Sequence, residues 1–228
     1  VDFAELLKQI SDHSDKIWMR ALYGHPESLS ESAIETIAER RNICSYFDIP
    51  IQHVSNRVLK QMGRNYSCDT LYRLFDKIRS SDPEAALRTT LLVGFPGETD
   101  KDFEALLTFV QTICFQHLGV FIYSDMDDLP SYGLSAPVPE TVAKERYEQV
   151  MAVQAGISLK NNQKQIGRSY QTLVEGRQDD NTFSGRTQFQ APEIDGVTYI
   201  HSNRLLVGSF TTVRIIGALE YDLIGATV

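Results

Sequence analysis

The chain has 228 residues, 42% of them hydrophobic, and a formal net charge of −8. That length fits one large domain or a domain with a small module, and the mixed composition is that of a soluble globular protein. An acidic balance argues against nonspecific contact with nucleic acid and suits a basic partner.

The longest apolar runs, residues 90–95 and 118–123, are far too short to span a bilayer. The first ten residues lack the basic flank and apolar core of a secretory signal. The absence of an initiating Met suggests part of a longer chain. Cys44, Cys68 and Cys114 are odd in number and dispersed. They imply no disulfide framework and no C-x-x-C metal clip, which fits a reducing cytoplasm. His13, His25, His117 and His201 share no metal-ligand spacing and read as non-ligands, and the lone Trp18 reads as packing.

In chain order, residues 17–23 read as a strand. Ser30 can cap a helix with Ile34, Ile37 and Ala38 on one face. Residues 43–51 read as the next strand, and Val54, Val58 and Met62 suggest a helix. Asp69 can start another helix, with Leu71, Leu74, Phe75 and Ile78 inward. Residues 87–95 form a third strand, a continuous apolar run of the kind found in buried parallel sheets. It ends in Gly94-Phe95-Pro96-Gly97, where glycines permit a sharp turn and close approach to a ligand. Thr99 then caps a helix with Phe103, Leu106, Leu107 and Val110 at helical spacing. Residues 118–123 are the fourth strand. Repeated strand–helix units imply a parallel sheet with right-handed crossovers, and in such folds ligands sit at the C-terminal strand ends.

Residues 125–139 break the pattern as a Pro-rich loop, and 140–165 form a long polar helix expected on the outside. After Gly167 the grammar changes. Residues 170–174, 183–189, 197–200, 210–216 and 221–224 are short strand-like runs separated by turn signals, as in a small OB-type barrel. The expected division is residues 1–166 and 167–228.

Three motifs occur in order: Tyr46-Phe47-Asp48-Ile49-Pro50-Ile51-Gln52-His53, Val58-Leu59-Lys60-Gln61-Met62-Gly63-Arg64, and Arg88-Thr89-Thr90 leading to Gly94-Phe95-Pro96-Gly97-Glu98-Thr99. Together they resemble the methylthiotransferase branch of the radical SAM enzymes. The particular variants look most like the members that modify an aspartate of small-subunit ribosomal protein S-twelve. Leu173 to Arg177, Gly185-Arg186-Thr187, Ala191 to Gly196 and Glu220 to Leu223 look like that family's TRAM domain.

The resemblance implies an α/β fold: a partial TIM-like barrel followed by a small all-β, OB-like TRAM barrel. It also implies S-adenosyl-L-methionine and two [4Fe–4S] clusters in the full-length enzyme, cytoplasmic location, and an electron donor that the sequence does not identify. Clusters need thiolate ligands, and neither family cysteine set is present here. The chain therefore reads as the C-terminal part of the enzyme, beginning after the first two barrel strands and inactive alone. A non-catalytic binding module is the alternative from a different class.

Candidate cofactor-side residues follow. Asp48 and Gln52, at a strand end, could bond a ribose or methionine moiety, or else fix the local turn, as could His53. Arg88, with Thr90 beside it, could fork onto the cofactor carboxylate or form a buried ion pair. Val93 and Phe95 could wall the adenine or simply pack the core. Tyr123 ends the last strand and could lie near the cofactor. Glu98 could merely complement a helix dipole. After Ser124, the sequence Asp125 to Pro130 departs from the family pattern.

The sister branch modifies a tRNA adenosine, and RNA contact needs a basic surface. From residue 166 onward, five arginines against seven carboxylates give −2. RNA contact is therefore not expected to dominate, and an acidic face suits a basic ribosomal protein. A barrel lacking two strands leaves an edge open to pairing, so tight self-association is expected. A monodisperse monomer by light scattering would count against it.

Overall fold

The computed structural model describes residues 2–14, 17–125, 133, 134 and 136–228. Of the 125–139 loop, residues 126–132 and 135 lie outside the described residues. Helix α1, Phe3–His13, was not expected from the sequence; Asp2 caps it, its carboxylate accepting from Glu5 N at 2.8 Å. Helix α2, Glu31–Glu39, starts at the expected cap Ser30.

The predicted strand at 17–23 is not formed. That segment makes a single parallel bridge, Met19 to Ile43, and Tyr23 turns it aside with φ of 58°. The second predicted strand is also shorter than expected. Strand β1 is Tyr46–Asp48, because Pro50 has no N–H to contribute to a ladder. Pairing resumes at Gln52, which bridges Leu91.

Helices α3 (Asn56–Gln61) and α4 (Cys68–Ser81) lead to β2, Ala86–Val93. Helix α5 is Asp100–Ile113 and β3 is His117–Ile122. The three strands form one parallel sheet in the order β1-β2-β3, with Asp48, Arg88 and His117 in one cross-strand row. Side-chain alternation divides the faces. Leu87, Thr89, Leu91 and Val93 are fully buried, the three apolar ones in the core built with the helices. Arg88, Thr90 and Leu92 lie on the other, less covered face. Phe75, Phe109 and Phe115 fill the helix side, each worth roughly 1.5–3 kcal/mol of burial.

The start of α5 follows from two residues. Thr99 Oγ1 accepts from Asp102 N at 3.3 Å, and Asp102 Oδ2 accepts from Thr99 N at 2.8 Å, a reciprocal capping box. Helix α6, Glu140–Gln163, is long and polar as predicted, and it packs through one face. Ala143, Arg146, Val150, Gln154, Ser158 and Asn161 form a buried face. Its amides and hydroxyl satisfy carbonyls left over where α5 ends: Gln154 Nε2 donates to Phe115 O at 2.9 Å, Ser158 Oγ to Gln116 O at 3.1 Å, and Asn161 Nδ2 to Cys114 O at 3.1 Å.

The last five strands are β4 (Ser169–Arg177), β5 (Thr182–Thr187), β6 (Thr198–His201), β7 (Phe210–Ala218) and β8 (Leu223–Thr227). They close into a barrel in the order β4-β5-β6-β8-β7, around Val174, Phe183, Ile200, Val213 and Ile215. Closure removes free strand edges, whereas β1 and β3 remain sheet edges.

The corner after β2 depends on Gly94. Its φ is +78°, and a Cβ there would lie 2.7 Å from Ala143 Cβ of α6. Gly94→Ala should therefore destabilise the chain by about 2–4 kcal/mol, read as a lower denaturant midpoint at unchanged slope.

Candidate functional site

The C-terminal ends of β2 and β3 frame a cleft of about 550 Å³, lined by Gln52, Arg64, Leu92, Phe95 and Tyr123 among others. Gln52 is held there by the sheet: its N donates to Thr90 O at 2.9 Å and its O accepts from Leu92 N at 2.7 Å. Its φ of 62° sits in the left-handed region, an uncommon conformation for a side chain of this size. Phe95 and Tyr123 meet edge to face, centroids 5.1 Å apart, and form the aromatic wall.

Of the seven candidate residues, Gln52, Phe95 and Tyr123 line this cleft. Asp48, Arg88 and Thr90 sit together lower on the same sheet. Arg88 Nη1 donates to Asp48 Oδ1 at 2.9 Å and reaches Thr90 Oγ1 at 3.4 Å. Asp48 Oδ2 accepts from Tyr23 N at 3.0 Å, and Asp48 also borders a second cavity of about 330 Å³ beside β1. Arg88 is thus engaged in an ion pair rather than projecting a free fork. Burial lowers its pKa, but the hydrogen bond and charge of Asp48, with Tyr46 and Asp195, leave it raised overall. Val93 is elsewhere: its side chain is fully buried in the core on the helix side, so it cannot wall a ligand on the concave face.

His53 and Glu98 also have structural surroundings. Both side chains are wholly buried, with His53 Nε2 3.5 Å from Glu98 Oε1. His53 Nδ1 accepts from Ser55 N at 3.0 Å. Glu98 accepts from Gly94 N, and Arg146 of α6 lies 3.4 Å from its Oε2. Glu98 therefore pins the glycine corner that carries Phe95, a larger role than a helix-dipole charge.

A second group of residues was not anticipated. The segment between β5 and β6 reaches into the lower end of the sheet's concave face. Tyr46 Oη donates to Asp195 Oδ2 at 2.6 Å, His117 Nε2 bonds Phe189 O at 2.8 Å, and Arg20 Nη2 donates to Gln188 O at 2.9 Å. Ala191 packs with Cys44, Tyr46 and Ala86, with Trp18 and Phe189 alongside. Asp195 Oδ1 lies 3.5 Å from both Arg88 Nε and His117 Nδ1. Burial raises the Tyr46 pKa first, and the charge and hydrogen bond of Asp195 raise it further, so the phenol stays a donor. Burial lowers the pKa of His117, against the opposing pull of Asp195. In sequence Asp195 had signalled only a barrel motif; nothing local marked its distant partners.

Among the described residues no group of three or more His, Cys, Asp or Glu is placed to hold a metal ion. Cys44 is buried, Cys68 half-buried and Cys114 exposed. They do not fit as iron–sulfur ligands. No helix of the described residues is long and apolar enough to cross a membrane.

Comparison with known proteins agrees with this architecture. Residues 1–110 match the radical SAM superfamily and residues 166–228 match the TRAM domain. The ribosomal protein uS12 methylthiotransferase RimO of Desulfosudis oleivorans is 48% identical over 226 residues, 99% of this chain and 51% of that protein. Its counterpart in Clostridioides difficile is 44% identical over 97% of this chain and 50% of that protein. The chain is thus similar to RimO proteins along nearly its whole length. It spans about half the length of the curated relatives it matches. Among solved structures, coproporphyrinogen III oxidase (HemN) from Escherichia coli, a radical SAM enzyme, superposes with a TM-score of 0.54 at 11% identity, covering 81% of this chain and 48% of that one. The shared feature is the fold.

The neutral form of His117 is favoured in the fold, so its pKa falls below the ordinary 6.5. Its contribution to stability is fully present above that value and is lost as pH falls through the lowered pKa. Urea midpoints should therefore drop between pH 7.5 and about 5.5, and His117→Gln should flatten that part of the profile.

Proposed function

We propose that this chain is the C-terminal part of a methylthiotransferase acting on small-subunit ribosomal protein uS12. Residues 1–166 would furnish part of the cofactor domain, and residues 167–228 a TRAM domain. The observation that carries this reading is the 48% identity, running along 99% of the chain, to a protein named for that activity.

The cleft supports the same reading. Its volume of about 550 Å³ lies within the range of small-molecule sites, which combine apolar walls with a few polar groups. Phe95 and Tyr123 supply the wall, and the Gln52 amide can both donate and accept. These residues suit the adenosyl part of S-adenosylmethionine, and they are the ones we assign to hold it. When bound, S-adenosylmethionine would supply the one-electron chemistry that activates a C–H bond, in this reading the β-carbon of an aspartate. The chain's own contribution is to bind and orient: Leu92 and the aromatic pair exclude water, while Arg88 and Asp48 stiffen the sheet beneath.

The dispersed cysteines cannot hold iron–sulfur clusters, whose ligands are thiolates. The chain alone is therefore expected to be inactive. Its net charge of −8 favours encounter with a basic protein over RNA. The test is binding of the chain to purified uS12 and to a tRNA anticodon stem-loop across a salt series. Saturable, salt-sensitive binding to the protein alone is expected. Binding to the RNA alone, with a steep salt slope, would move the chain to the tRNA-modifying branch.

A further inference from the structure

Asp195 is a buried carboxylate far from its partners in sequence. It belongs to the closed barrel's sequence, yet its side chain is 1% exposed beneath the parallel sheet. Its two oxygens have different tasks. Oδ2 accepts from Tyr46 Oη at 2.6 Å and from Ala191 N at 2.7 Å. Oδ1 is buried with no hydrogen bond, and it faces Arg88 Nε and His117 Nδ1, each at 3.5 Å. His117 Nε2 lies 2.8 Å from the Phe189 carbonyl, which takes the ring's N–H. In the neutral ring Nδ1 then carries a lone pair and cannot donate to Asp195. The Arg88 guanidinium is then the nearest positive charge to Oδ1.

Arg88 simultaneously holds Asp48 through Nη1 at 2.9 Å, and Asp48 holds the Tyr23 amide at 3.0 Å. A chain of charge-assisted contacts thus runs from the barrel segment through β2 and β1 to the border of the smaller cavity. A buried carboxylate is costly to leave without a facing charge; Arg20 acts on Asp195 electrostatically as well, but Arg88 is the guanidinium within 3.5 Å of Oδ1, so Asp195 and Arg88 should hold each other in place.

We propose that Asp195 is a positioning residue through which the TRAM barrel fixes Arg88, and through it Asp48, on the concave face of the sheet. Seating of the barrel is then transmitted to Tyr23 and Gly24, which rest on Asp48. The inference goes beyond the functional reading above and does not depend on it, because its test reads the chain's own conformation.

The test is residue-resolved hydrogen exchange and Arg Nε–H correlation spectra on the whole chain. Asp195→Asn keeps an oxygen for Tyr46 and Ala191 but removes the charge. The Arg88 Nε–H resonance should move, and exchange of the Tyr23 amide should rise about tenfold, with β4–β8 amides unchanged. Tyr46→Phe, which removes a donor to Oδ2 but keeps the Asp195 charge, should move the Arg88 resonance less than Asp195→Asn does. Changes confined to residues 188–196 in Asp195→Asn would overturn the proposal. Should that variant not fold, Arg88→Lys supplies the reciprocal test. It should loosen both the Tyr23 amide and residues 188–196. Loosening of Tyr23 with residues 188–196 unaffected would equally refute the coupling.

Discussion

The guanidinium of Arg88 is the point on which the rest of the molecule depends. It sits in the middle strand of a three-stranded sheet, pairs sideways with Asp48 and faces Asp195 from the barrel. Such a group is stable in a partly buried position only with compensating charge. Its two carboxylates come from a different strand and a different folding unit. The sheet therefore has charge at its lower end and aromatic surface at its upper end, where the cleft opens between Gln52, Phe95 and Tyr123. This gradient suits a site that must grip a polar ligand beside an apolar wall.

A second layer of polar groups supports that upper end from behind. Glu98 accepts from Gly94 N, faces His53 and is approached by Arg146 from α6. None of the three needs to touch a ligand to matter. Their common product is the position of the Gly94–Phe95 corner, and α6 could not approach so closely if residue 94 carried a side chain. The polar character of α6 has the same explanation: Gln154, Ser158 and Asn161 are buried because they complete the bonding of residues 114–116.

Much of this was legible in the sequence, and the exceptions have physical causes. Strand β2 and helix α5 were evident because an apolar run, two glycines and the Thr99–Asp102 cap agree locally. The barrel strands were evident because turn residues separate them. The residues 17–23 were misread because β-like composition does not guarantee a partner strand, and only Met19 finds one. Strand β1 is shorter than its apolar run because Pro50 has no N–H for the ladder. That Gln52, Phe95 and Tyr123 line one cleft follows from their place at strand ends. The helix-side position of Val93 follows from alternation along β2, and that period was the overlooked signal. Asp195 could not be found at all: its contact with Tyr46 spans 149 residues, and no local pattern encodes such a distance.

That long span has a bearing on how the molecule is made. Residues 188–195 insert beneath strands formed by residues 46–48 and 86–93, so the floor of the first unit is supplied by a segment synthesised well after it. Contacts between such remote segments form late, after loop closure has been overcome. During synthesis, Tyr46 and Arg88 must await their partner with their polar groups in water. The growing polypeptide can then complete this face of the sheet only when the β4–β8 barrel has emerged and closed, which makes the TRAM domain the keystone of assembly for the segment that precedes it.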